Sequence, residues 1–215
     1  MKTQAITLMK EDILSLGRMV ASSVAELVKL LQRDASASLA LVEEQEEQIN
    51  AQCLRIEEKC MDLLSEREGL QPLEIRALVG STLLAAKLER LADHANRVAK
   101  LVSWEAEDGM QMPTELAEMA ASVHRLVEDS LVVYLTDEVE RVPELIQRDA
   151  HINYLHDLLS KKLLSDMGVQ DQEEAQTRTQ YLFCARYIER MGDCATSIAK
   201  RTYFIVTGKR LKSET

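Results

Sequence analysis

Acids set one helical turn apart are the residues in this chain with the plainest chemistry. The stretch over residues 185–200 reads ARYIERMGDCATSIAK and places Glu189 four residues before Asp193, beside a stripe of Ile188, Met191, Ala195 and Ile198. On a helix, side chains four apart share a face, so two like charges are held together there. The same pair recurs a hundred residues earlier in KLERLADHANRVAK, as Glu89 and Asp93. Left exposed, such a pair costs only about 0.2–0.5 kcal/mol. Turned toward a further oxygen ligand, it suits a hard divalent cation.

Further ligands are available on the helix preceding each pair. Leu39, Val42, Glu46, Ile49, Cys53, Ile56, Cys60 and Leu63 step by threes and fours, the inward pattern of a helical bundle, so Glu46 takes a core position. Val142, Leu145, Asp149, Ile152, His156, Leu159 and Leu163 repeat the pattern with Asp149 on the stripe. A buried carboxylate is costly unless it meets a cation, a protein partner or an open end of the bundle.

Antiparallel packing would gather Glu46, Glu89 and Asp93 in one unit, with an amide oxygen from Asn50. In the other it would gather Asp149, Glu189 and Asp193, with Asn153. Such oxygen-rich sites suit magnesium, manganese or iron, and zinc with help from His or Cys. The plainer alternative is ion pairing, because Arg90, Arg97, Arg186 and Arg190 lie along the same helices. Cys53 and His156 stand at equivalent inward places, and either residue type can ligate metal, although packing and hydrogen bonding are their commoner uses. Cys60, Cys184 and Cys194 read as packing residues, and His94 and His124 as facing outward or bordering the stripe.

The elements that position these groups are helices. Only 7 Gly and 3 Pro punctuate 215 residues dominated by strong helix formers. Six amphipathic helices are predicted, over about 3–33, 38–67, 72–105, 114–135, 139–167 and 172–207. Gly69 and Pro72 mark a turn, and Gly168 and Gly208 mark stops. Asp171 and Glu174 have capping-box spacing, and Pro143 belongs either to the first turn of helix five or to a kink. Ile49-Asn50 recurs 103 residues on as Ile152-Asn153, and Glu89 and Asp93 recur at a spacing of 100. The predicted fold is therefore all-α: two tandem antiparallel three-helix bundles from an internal duplication, residues 1–108 and 109–215, divided near EDGMQMP.

Composition narrows the function classes. A net charge of −10 argues against binding the phosphate backbone of nucleic acid. The N-terminus lacks the apolar core of a secretory signal, no apolar run reaches the length of a spanning helix, and the four cysteines form no CxxC pair. These features predict a cytoplasmic protein with reduced thiols. No ExxH pair, phosphate-binding loop, GxSxG elbow or HExxH occurs, so no catalyst is expected.

LERLADHANRVAK over 88–100 and ARYIERMGDCATSIAKRTYFIVTGK over 185–209 resemble the ERxGDxxxxIA signature of the PhoU family of phosphate-uptake regulators. PLEIR over 72–76 and the acid-xx-Ile-Asn segments around Ile49 and Ile152 extend the resemblance along the whole chain. It implies paired three-helix bundles, often dimeric, whose acidic motifs hold iron or zinc clusters in some members. Those motifs fall here on Glu46, Glu89, Asp93, Asp149, Glu189 and Asp193. Asn50 and Asn153 stand where the family usually has a second acid, Arg97 and Ser197 replace a frequent Asn, and Cys194 replaces a frequent His. The implied role is to damp high-affinity phosphate uptake and starvation signalling as a non-catalytic adaptor, peripheral to the membrane. The implied partners are the ATPase of a phosphate ABC transporter and a sensor histidine kinase. A metal-binding or storage protein without a signalling role is the alternative, and a scaffold whose acids pair with arginines is a third reading.

Overall fold

The computed structural model describes residues 2–65, 69–103, 111–165 and 172–211. Six long helices account for most of them: α1 (Lys2–Leu31), α2 (Leu39–Ser65), α3 (Pro72–Val102), α4 (Thr114–Thr136), α5 (Val142–Ser165) and α6 (Gln172–Thr207). No strand occurs among the described residues.

The helix ends follow from local chemistry. After α1 the chain turns through Arg33 in the left-handed region at φ 58°. Asp34 then accepts hydrogen bonds from the Ser36 backbone N–H and hydroxyl, both at 2.8 Å. The Ser38 N–H donates to the buried Glu26 carboxylate at 2.8 Å, which ties the start of α2 back to α1. Gly69, at φ 72°, and Pro72 at the first position of α3 form the predicted turn. Glu74 reaches back to accept the Gln71 N–H at 2.7 Å, half of a capping box. Pro143 sits in the first turn of α5, where it removes no helical hydrogen bond, and the 3-10 turn Val139–Arg141 precedes it. Of the two predicted placements, the later helix start is therefore the one adopted. Gly208 closes α6 at φ 69°, its N–H donating to the Phe204 carbonyl at 2.9 Å. The division at 108/109, Gly168 and the Asp171 cap lie outside the described residues.

Within each half the three helices pack on one another, and between halves α1 packs on α4 and α3 on α6. Fully buried residues from all six helices join in one apolar core. The contact between α1 and α4 is close because Gly17 lacks a side chain: a Cβ there would collide with the methyls of Leu131. The helices bearing the acidic signatures, α3 and α6, thus lie back to back at the centre, each between its own bundle and the other.

Candidate acidic site

In the first half two of the three acids, Glu46 and Asp93, are already satisfied by neighbours. Glu46 is half-buried and accepts a hydrogen bond from the Asn50 side-chain amide at 2.5 Å. Its length lets the carboxylate reach the rim from a core-facing backbone position, so the predicted burial is incomplete. Arg97 Nε lies 3.0 Å from each oxygen of Asp93. Burial, then the charges of Asp93 and Glu46, push the Glu89 carboxyl above the ordinary range, so the three acids sense one another.

His94 departs from the expectation that it faces outward or borders the stripe. It is buried, because Tyr187 of α6 covers it with ring centroids 5.5 Å apart, and the Arg97 guanidinium lies 5.8 Å from the same Tyr ring. Burial is the main cause that lowers its pKa, opposed by the charge of Asp93 and helped to a smaller degree by Arg90, Arg97 and Arg190. His124 is half-buried, with Nδ1 3.5 Å from Glu128.

The second half is less compensated. Asp149 is only 8% exposed, and its Oδ1 has no hydrogen-bond partner. That oxygen rests on Gly192 of α6, where a Cβ would come within 2.5 Å of it. Burial and the charges of Asp193 and Glu189, partly opposed by Lys200, push the Asp149 carboxyl up to about 6. Glu189 takes a hydrogen bond from Arg186 at 2.8 Å, and Asp193 is exposed. Asn153 is exposed and makes no hydrogen bond among the described residues.

Among the described residues no three His, Cys, Asp or Glu side chains converge closely enough to hold an ion. The two triads are therefore within electrostatic range without being drawn to one point. Their donor chemistry differs. Asp149 keeps an unpartnered carboxylate oxygen, which suits a hard cation, whereas Asn50 and Arg97 already occupy Glu46 and Asp93. Cys53 is buried with its thiol pushed up to about 11, chiefly by burial, so it stays protonated. His156 sits nearer the surface, with Nδ1 3.1 Å from Asp157.

The duplication is also visible to comparison with known families. The family model for the PhoU domain matches twice, over residues 13–102 and 116–202, and each match contains one complete acidic triad. The chain belongs to the PhoU domain family. Among similar proteins, a PhoU homologue of Rhizobium meliloti, a phosphate-specific transport system accessory protein, is 30% identical over 92% of this chain and 81% of its own. Another of that description from Clostridium acetobutylicum is 24% identical over 93% of this chain and 91% of its own. The crystal structure of PhoU from Streptococcus pneumoniae superposes with a TM-score of 0.88 at 23% identity, over 99% of this chain and all of that one. PhoU from Pseudomonas aeruginosa gives 0.89 at 22%, over 97% and 100%. These PhoU structures share the fold.

Sequence reasoning missed two residues that shape the surroundings of these acids. Tyr187 covers His94 from another helix, and no periodicity within one segment reveals such a contact. Gly192 carried a readable signal, since the first repeat has Ala92 at that place.

Proposed function

We propose that this protein is an accessory regulator of phosphate transport that damps high-affinity uptake and starvation signalling by binding partners, without catalysing a reaction. The observation that carries this reading is the double match to the PhoU domain, together with relatives described as phosphate-specific transport accessory proteins that match over 81–91% of their own length. The acidic, all-helical surface suits docking to membrane-bound machinery from the cytoplasmic side, with the transporter ATPase and a sensor kinase as partners. No described helix is long and apolar enough to cross a membrane. Deleting the gene should raise phosphate uptake and phosphatase expression in phosphate-rich medium, and unchanged levels of both would overturn the proposal.

A divalent cation fits the second half better than the first, with Asp149, Glu189 and Asp193 as its ligands. It would neutralise the buried carboxylate and draw α5 onto α6. Metal analysis of protein purified without chelator should then find metal that is lost in the Glu189→Ala/Asp193→Ala variant. Finding none, with unchanged stability in that variant, favours simple pairing of the acids with arginines.

A further inference from the structure

Beside the acidic triads, with Lys200 close enough to act on Asp149 and Arg90 on Glu89, α3, α5, α6 and the segment after α6 line a cleft of about 1190 Å³. Its walls carry Lys87 and Arg90 from α3, Lys200 and Arg201 from α6, and Arg210 beyond it, and no Asp or Glu lines it. In a chain with 36 acids against 26 bases, this lining reverses the overall balance. None of the five cations is in an ion pair among the described residues. Between them lie apolar groups, Leu83, Ile146, Phe204 and Leu211, with the Arg201 guanidinium 5.9 Å from the Phe204 ring centroid.

The duplication supplies an internal control. At the spacing of 100 residues, Lys87 corresponds to Tyr187, Cys194 to His94, and Ser197 to Arg97. On the first-repeat side, Tyr187 packs on His94 and under Arg97, and Arg97 is committed to Asp93. On the second-repeat side a lysine replaces the ring and two small residues replace the histidine and arginine. That face is left open and positively charged.

We propose that this cleft binds a small polyanion bearing a flat apolar group, of the nucleoside di- or triphosphate class. The phosphates lie among Lys87, Arg90, Lys200 and Arg201, and the base lies against Phe204 and Ile146. Lys and Arg are the phosphate-binding side chains, and an aromatic face receives a base regardless of its identity. The volume lies somewhat above the usual range of small-molecule sites, roughly 300–1000 Å³, and so has room for a nucleotide. Inorganic phosphate alone would leave the apolar wall uncovered. The inference rests on the cleft and not on the regulatory role, so either can fail alone.

Titration calorimetry on the full-length protein tests it, with ATP and GTP as ligands and with inorganic phosphate, adenosine and a poly-glutamate peptide as separate arms. A nucleotide should bind at one site at least about tenfold more tightly than phosphate, adenosine or peptide. The Lys87→Glu/Arg201→Glu variant should lose at least about tenfold in nucleotide affinity, and Arg55→Glu on α2 should lose none. Phe204→Ala should weaken nucleotide binding without changing that of phosphate, with circular dichroism showing that each variant is folded. The proposal is overturned if neither nucleotide binds at about 1 mM, if the double variant binds as well as the parent, or if the peptide binds more tightly.

Discussion

The two repeats place acids at the same three helical positions, yet only one of them buries a carboxylate without a partner. In the first, a buried Ala92 stands at the place of Gly192, and Glu46 reaches the rim and is held by Asn50. In the second, Gly192 leaves room for the shorter Asp149, whose Oδ1 rests there unpartnered. One methyl, one methylene and the amide of Asn50 thus separate a relaxed acid from a costly one. Burial of an unsatisfied polar group is disfavoured, so an arrangement of this kind points to a use for Asp149 beyond stability.

The most disruptive test gives the second repeat the residue of the first. Gly192→Ala puts a Cβ against Asp149 and Ile152, and thermal unfolding should show a loss of about 1–3 kcal/mol despite the better helix propensity of alanine. Combining it with Asp149→Ala should recover part of that loss, and an equal loss in the double variant would dissociate the glycine from the carboxylate.

A smaller effect, of opposite sign, is expected from Asp149→Asn. Asp149 holds its proton to about 6 in the fold, against an ordinary value of 3.8. Its contribution to stability is therefore fully present below about pH 4 and is lost as the pH rises through 6. The isosteric amide escapes this loss. In chelator-treated protein it should stabilise by about 1–2 kcal/mol at pH 7.5, a rise in Tm of a few degrees, and by nothing measurable at pH 4. A flat pH profile for the difference would show that Asp149 is not the group responsible.

The smallest effects belong to the first repeat. Replacing Arg97 by Ser, its counterpart in the second, removes a half-exposed ion pair and should cost no more than about 1 kcal/mol. Trimming Tyr187 to Ala should uncover His94 and move its pKa up toward the ordinary 6.5, read by proton NMR titration of the ring. An unmoved pKa would mean that the neighbouring arginines, and not burial, hold it down.

Much of this was readable in the chain. Helix ends at Gly69, Pro72 and Gly208 follow from backbone preferences that act locally, and the stripe containing Asp149 follows from helical periodicity. Pro143 was ambiguous because local rules allow two placements, and packing of the 3-10 turn decides between them. The rim position of Glu46, the exposure of Asn153 and the burial of His94 were not legible. The first depends on side-chain length against a neighbouring helix, the second on how α5 is rotated, and the third on a ring from the other repeat. The basic cleft was hidden for the same reason: its cations come from α3 and from α6 with the residues just beyond it, two regions far apart in sequence and each unremarkable alone.

The seam itself has one further consequence. Each repeat meets the other through equivalent helices, α1 with α4 and α3 with α6, so each carries an apolar face shaped for a near-copy of itself. Cut free, a single repeat would have no reason to remain solitary. It would pair with its own kind, and the chain as it stands amounts to a dimer whose subunits were joined end to end and then left to diverge.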